Sequence, residues 1–159
     1  MSMPAKHAED GPGSNGSKLE MDWIKEGTTS WDPDKKRIIG DAPAGIFDRR
    51  YTELAIGDIV PGEWWRAEDN GDVVGYGWLD IVWGDAEILL ATAPESRGRG
   101  VGTFILVALK NQALGHGVNY LYNVVRTTHP DAARATAWLE KRGFEASEDG
   151  SLRCSVSSK

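Results

Sequence analysis

Cysteine is all but missing from this chain. Cys154 stands alone among 159 residues, which excludes an internal disulfide framework and a cysteine-rich metal site. Histidine is scarce as well, with three in all, and none has the carboxylate spacing of a zinc site, so no metal is expected. No apolar run approaches the roughly 20 residues that cross a bilayer. Residues 1–18 lack the apolar centre of a signal peptide. Basic charge is in deficit: 18 Lys and Arg face 24 Asp and Glu, a net −6. No basic stripe offers itself to a phosphate backbone. These absences point to a soluble cytoplasmic protein that works without nucleic acid or membrane.

What is present suffices for one core, because a chain of this length makes one domain. Residues 1–20 are polar and glycine-bearing and read as a flexible tail, leaving residues 21–159 as a single domain. From Met21 to Pro61 the pattern is irregular. There, Phe47 to Ile56 alone predicts a short helix, with Asp48 near its start. The pattern then sharpens into strands over Glu63–Glu68, Val73–Trp83 and Ala86–Thr92, with turns at residues 69–72 and at Gly84-Asp85. Apolar residues at 101, 104, 105, 108 and 109 predict an amphipathic helix from Val101 to Leu114, ended by Gly115-His116-Gly117. Tyr120–Arg126 reads as a strand. Thr128 reads as the cap of a second helix that runs to Lys141, with Pro130 in its first turn. Phe144–Ser147 and Ser151–Val156 predict a closing hairpin. Antiparallel strands followed by alternating helix and strand give an α/β (α+β) architecture around a mixed sheet.

The most specific segment is Arg97-Gly98-Arg99-Gly100-Val101-Gly102, lodged between an apolar strand and a helix. Glycines let the backbone turn sharply and aim successive N–H groups at one point. The following helix directs its positive dipole end there too, and Arg97 and Arg99 add charge and donors. The segment therefore predicts a pyrophosphate cradle. A Walker loop would need Gly-Lys-Ser/Thr, which does not follow Gly102, and the alternating glycines fit the dinucleotide fingerprint poorly. The bland alternative is a surface turn whose glycines merely permit tight packing.

Arg97, Gly100 and Gly102 match the Arg/Gln-x-x-Gly-x-Gly/Ala signature, and the segment resembles that of the GNAT superfamily of N-acetyltransferases. Glu87 on the preceding strand and Trp138-Leu139-Glu140-Lys141-Arg142-Gly143-Phe144 extend the resemblance, which covers roughly Asp72 to Val156. It implies a mostly antiparallel, twisted mixed sheet with helices on both faces and a splayed strand pair that admits coenzyme A. It further implies transfer of an acetyl group from acetyl-CoA to a primary amine. The cofactor would lie along Leu90, Ala91 and Thr92, on the turn Arg97, Gly98, Arg99, Gly100, Val101, Gly102 and Thr103, and near Thr127. Glu87 takes the place of the catalytic glutamate in the histone-acetyltransferase branch and is the candidate base. A carboxylate inside an apolar strand is costly without work or a partner, and desolvation raises its pKa.

One departure concerns the leaving thiolate. Many family members carry a tyrosine four residues before the closing glycine, and here that position is Leu139. Tyr122 is the candidate substitute, water and bulk solvent being others, while the bland reading makes it a sheet-packing aromatic. Ala132 likewise replaces an asparagine that often opens the last helix. A non-catalytic acyl-CoA-binding regulatory module on the same fold is the alternative function.

Charge divides unevenly along the chain. Residues 1–95 hold 19 acidic and 9 basic side chains, a balance of −10, whereas residues 96–159 hold 5 and 9, a balance of +4. The acidic half suggests attraction of a cationic acceptor. Ordinary surface solubility is the competing explanation. The family resemblance implies that the acceptor binds at the segment between the first two strands and at the last hairpin. With at most one short helix over Met21 to Pro61 and a tight hairpin turn, it implies an open groove for a lysine side chain, an N-terminal amine or a polyamine. His116 and His129 read as turn and cap residues, and Arg126 as a surface group, with a phosphate or an acidic side chain as its alternative partner. Seven tryptophans are unusual, and alternation puts Trp64 and Trp65 on opposite faces with at least one exposed. Core packing, a dimer face or an aromatic wall for a cation could each use them. The chain is expected to act as a monomer or homodimer on a small-molecule or peptide amine.

Overall fold

Alternating apolar residues build seven strands into one sheet, in the order β1-β2-β3-β4-β5-β7-β6. The computed structural model describes residues 21–156, so the expected tail lies outside the described residues. The strands are β1 (Met21–Lys25), β2 (Glu63–Asp69), β3 (Asp72–Val82), β4 (Asp85–Thr92), β5 (Tyr120–Asn123), β6 (Glu145–Ala146) and β7 (Leu152–Ser155). Every neighbouring pair is antiparallel except β4 and β5, which run parallel. Among the described residues the α-helices are α1 (Pro33–Lys35), α2 (Val101–Gly115) and α3 (Ala132–Glu140).

The two turns that tie β2, β3 and β4 are hairpin turns with positive φ at both central residues: Asn70 and Gly71, then Trp83 and Gly84. The second turn thus falls one residue earlier than Gly84-Asp85. It leaves Trp83 almost wholly exposed and in a backbone conformation rare for a bulky side chain.

Each sheet face is covered. One core holds Trp65, Ala67, Ala86 and Ile88 against α2, whose Val101, Ile105 and Leu109 are fully buried, and against Leu139 of α3. Ile88, Val101, Ile105, Leu109 and Leu139 each contribute about 1.5–3 kcal/mol by leaving water. The other core sets Trp64, Tyr76, Trp78 and Leu89 against Trp31, Ile38, Ile39 and Tyr51. Trp64 and Trp65 do point to opposite faces, but both are buried, because the irregular segment before β2 packs as a lid on the second face.

That segment holds more order than its sequence pattern predicts. It supplies the edge strand β1, then α1 running directly into a π-helical turn, Lys36–Gly40, and later a 3₁₀ turn, Arg49–Thr52. Asp48 caps the 3₁₀ turn by accepting from the Arg50 N–H at 2.9 Å, so the expected short helix is a single turn. Lys35 fastens the segment to the sheet. Its ammonium is buried, 2.8 Å from both Glu26 and Asp32, and lies over the Tyr76 and Trp64 rings.

The second half differs from expectation at the end of β5, at the start of α3 and in the closing hairpin, whose strands shorten to Glu145–Ala146 and Leu152–Ser155. β5 ends at Asn123 and not at Arg126, and α3 opens at Ala132. Thr128 does not cap α3. Its hydroxyl donates instead to the Gly45 carbonyl at 2.9 Å.

Candidate active site

The parallel pairing of β4 and β5 is short. Asp85, Ala86 and Glu87 stand opposite Tyr120, Leu121 and Tyr122, and there the ladder stops. β4 continues to Thr92 against β3 alone, while the chain after Asn123 turns away. Asn123 marks the split: its side-chain amide donates to the Ile88 carbonyl at 2.9 Å, in place of a further ladder bond.

Alternation fixes what the open edge presents. The Ile88 carbonyl points towards β5, and the Ala93 N–H points the other way, to the Val74 carbonyl of β3 at 2.8 Å. Successive residues of a strand alternate in direction, so Leu90 and Thr92 turn their N–H and C=O into the gap. Ala91 bonds back towards β3 and buries its side chain in the second core. Of the three strand residues expected to meet a cofactor, the gap therefore receives the backbones of Leu90 and Thr92.

A cavity of about 320 Å³ occupies the split. Glu87, Leu89 and Leu90 line it from β4, and Trp138 and Leu139 from α3. Arg50 and Tyr51 of the lid segment close the opposite side, and Arg126 and His129 come from the loop after β5. Glu87 faces the side of the sheet that carries Leu89 and Trp78, towards Arg50. Burial and the Asp80 carboxylate opposite it on β3 raise its pKa, while Arg50 and Arg126 pull the other way. Tyr122 pairs in register with Glu87 but does not line the cavity; burial and the Glu87 charge raise its pKa.

The glycine turn lies beside the same gap. Gly98 and Gly100 both have positive φ, and space stands open where each Cβ would project. Gly100 is the N-cap of α2 and provides no side chain to cap it, so the first N–H groups of a 15-residue helix face outward. Val101 buries its side chain in the core, leaving its backbone for any ligand. Gly102 has a different reason to be glycine: a Cβ there would come within 3.1 Å of the Trp138 ring, so its absence lets α2 and α3 approach. Arg142 stacks on Trp138 and donates to the Thr103 hydroxyl at 3.1 Å, which ties α2 to the end of α3. Arg97 and Arg99 are exposed on the turn, and Thr127 is exposed in the loop after β5.

Several parts of this site escape a reading of the sequence. Arg50 carries no motif. Asn123 does carry a weak signal, since asparagine is disfavoured in strands and closes a β-rich run here. Arg126 belongs to the cavity and not simply to the surface, and the histidines behave as turn and cap residues. His129 accepts from the Asp131 N–H at 2.8 Å through its ring, and His116 meets the Gln112 carbonyl at 2.8 Å. The lining charges are Asp48 and Glu87 against Arg50 and Arg126, so the cavity is balanced where an acidic groove was expected.

Known proteins place this arrangement. A stretch of 87 residues is 36% identical to an uncharacterized N-acetyltransferase of Methanocaldococcus jannaschii, covering 52% of this chain and 56% of that protein. The chain thus spans little more than half the length of that curated relative. Among solved structures, the ribosomal-protein-S18-alanine N-acetyltransferase of Escherichia coli superposes with a TM-score of 0.59 at 17% identity, over 88% of this chain and 96% of that one. The PaiA N-acetyltransferase of Thermoplasma acidophilum, solved with coenzyme A, gives 0.50 at 18% identity over 58% and 59%. Both are likenesses of fold. Among the described residues no helix is long and apolar enough to cross a membrane. The profile of the Acetyltransferase (GNAT) family matches residues 25–144, and the chain belongs to that family.

Proposed function

We propose that this protein transfers an acetyl group from acetyl-CoA to a primary amine, with Glu87 as the base. One observation carries the reading: the inner sheet edge at Leu90 and Thr92, unpaired, opens onto a cavity that contains a half-buried carboxylate. The residues present suit coenzyme A. An extended arm bearing amides finds backbone partners at Leu90 and Thr92. A pyrophosphate finds the turn of Arg97, Gly98, Arg99 and Gly100 and the bare N-terminus of α2, where two missing Cβ atoms leave room. When bound, acetyl-CoA supplies an acyl group activated as a thioester.

The chain's own groups divide the remaining work. An amine reaches the site as its ammonium form and must lose a proton before it attacks. Glu87, its pKa raised above the ordinary carboxylate value by burial, is the proposed acceptor of that proton. The Leu90 N–H offers a donor to an oxygen that gains negative charge. For the leaving thiolate Tyr122 is the proposed proton source. Its raised pKa makes it a weak acid beside an ordinary thiol of about 8.5, so its contribution is small and the thiolate can depart unprotonated.

The acidic first half of the sequence favours lysine side chains, N-terminal amines and polyamines as acceptors, whereas the balanced charge of the cavity lining does not by itself select a cationic one. The E. coli structural relative is named for an alanine N-acetyltransferase, and here an N-terminal amine belongs to the same proposed class. Leu139 at the usual tyrosine position favours the second reading, an acyl-CoA-binding regulator without catalysis. Calorimetric titration with acetyl-CoA and an assay of thiol release, on wild type and on Glu87→Gln, separate the two. The enzyme reading requires that the variant bind acetyl-CoA like wild type and lose turnover. Wild-type protein that binds acetyl-CoA and acetylates no amine supports the regulator.

A further inference from the structure

We propose that the acceptor carries a carboxylate near its amine, and that Arg126 and Arg50 read this carboxylate. The inference rests on the acetyl-transfer reading above and narrows its substrate class. Both arginines line the cavity that holds Glu87, Arg50 from the lid segment and Arg126 from the loop after β5. They therefore flank Glu87 from two separate elements.

Neither guanidinium is fully engaged by the contacts it makes. The Arg126 guanidinium stands 4.0 Å from an Asp48 carboxylate oxygen, beyond hydrogen-bond length. Arg50 directs one N–H to the Tyr51 hydroxyl at 3.2 Å and lies over the Tyr51 ring, which fixes its plane. An arginine has five N–H donors in a rigid fork, a shape that suits a carboxylate.

The charge balance shifts during the proposed reaction. Before it, Asp48 and Glu87 offset Arg50 and Arg126. Once Glu87 accepts the amine's proton, Asp48 alone faces the two guanidinium groups, and the lining has a net positive charge. A carboxylate on the acceptor restores neutrality at that moment. A polyamine adds positive charge to a lining that already has an excess. Arg126 and Arg50 are thus specificity residues, while Glu87 handles the proton.

Matched acceptors test this. Amino acids, their amides and the corresponding decarboxylated amines are assayed for thiol release from acetyl-CoA, with wild type, Arg126→Gln, Arg126→Lys and Arg50→Gln. Lost charge-assisted hydrogen bonds predict that wild type prefers the acid to its amide by at least about tenfold in kcat/KM. In Arg126→Gln the acid-to-amide ratio falls towards one, mainly through KM, and Arg126→Lys recovers part of it. A wild-type enzyme that uses amides or polyamines as well as acids overturns the proposal. So does a ratio that survives in both glutamine variants. Binding of acetyl-CoA without acetylation of any amine overturns the transfer reading itself, and this inference falls with it.

Discussion

Thr128 donates its hydroxyl to the Gly45 carbonyl at 2.9 Å, joining two loops 83 residues apart next to the cavity-lining Ile46 and His129. The approach is close in the other sense as well: a Cβ on Gly45 would stand 2.0 Å from the Thr128 carbonyl oxygen. Gly45 has a φ of +95°, so the lid loop depends on glycine both for its backbone and for its contact.

Gly45→Ala should therefore destabilise the fold by about 1–3 kcal/mol, from backbone strain together with displacement of the loop. Thr128→Val, which removes one exposed hydrogen bond and no backbone fit, should cost about 1 kcal/mol or less. Thermal denaturation followed by circular dichroism orders the two. Equal losses would mean that the hydroxyl, not the close approach, holds the loops.

Glu87→Gln should lower kcat by about 10²–10⁴-fold and leave acetyl-CoA affinity unchanged. The pH dependence has a definite sign. The active form of a base is deprotonated, and the Glu87 pKa is raised, so the acidic limb of kcat/KM lies above the ordinary carboxylate range. Asp80 is one cause of that rise. Asp80→Asn should move the limb to lower pH, and Glu87→Gln should abolish it. A limb that stays in place in Asp80→Asn would assign the titration to another group.

Gly100→Trp should abolish acetyl-CoA binding in calorimetry while the protein stays folded, because the space beyond that Cα is open. Gly100→Ala separates strain from obstruction. It places a Cβ at a φ of +88°, which costs about 1 kcal/mol of stability, and should weaken binding far less than tryptophan does. Unchanged affinity in the tryptophan variant would move the phosphate site elsewhere.

Lys35→Met removes the charge that Glu26 and Asp32 share. Glu26 is itself largely buried, with Arg66 as its remaining partner at 3.4 Å. Breaking a buried pair costs about 3–5 kcal/mol when it strands a charge, and the loss here falls below that because Arg66 still pairs with Glu26. Urea unfolding measures the loss. A cost below about 1 kcal/mol would show that the carboxylates are solvated well enough without the lysine.

Tyr122→Phe should reduce kcat by less than about tenfold, given a phenol less acidic than the thiol it would serve. A loss near that of Glu87→Gln would make Tyr122 indispensable.

The strands, the two longer helices and the glycine turn were legible because each carries a local period or a local conformational demand. Val101, Ile105 and Leu109 recur on one helical face, and Gly100 must take a positive φ. The lid segment was not legible. Its residues Trp31, Ile38, Ile39 and Tyr51 become a core only when laid on the sheet, and no periodic spacing announces them. Glu87 was legible as a carboxylate in an apolar strand. Arg50 was not, since its meaning depends on a loop that returns over a distant strand. Trp83 and Gly84 show a different failure, a bulky residue where turn chemistry favours asparagine or glycine.

The gap between β4 and β5 also bears on how this protein avoids sticking to itself. Unpaired strand edges recruit other strands, and proteins usually guard them at the rim of a sheet. Here the exposed backbone of Leu90 and Thr92 lies in the sheet's interior, with α3 on one side and the lid segment on the other. These walls leave a cavity of about 320 Å³ around that edge. The same walls that shape the site thus guard an edge that would otherwise invite aggregation.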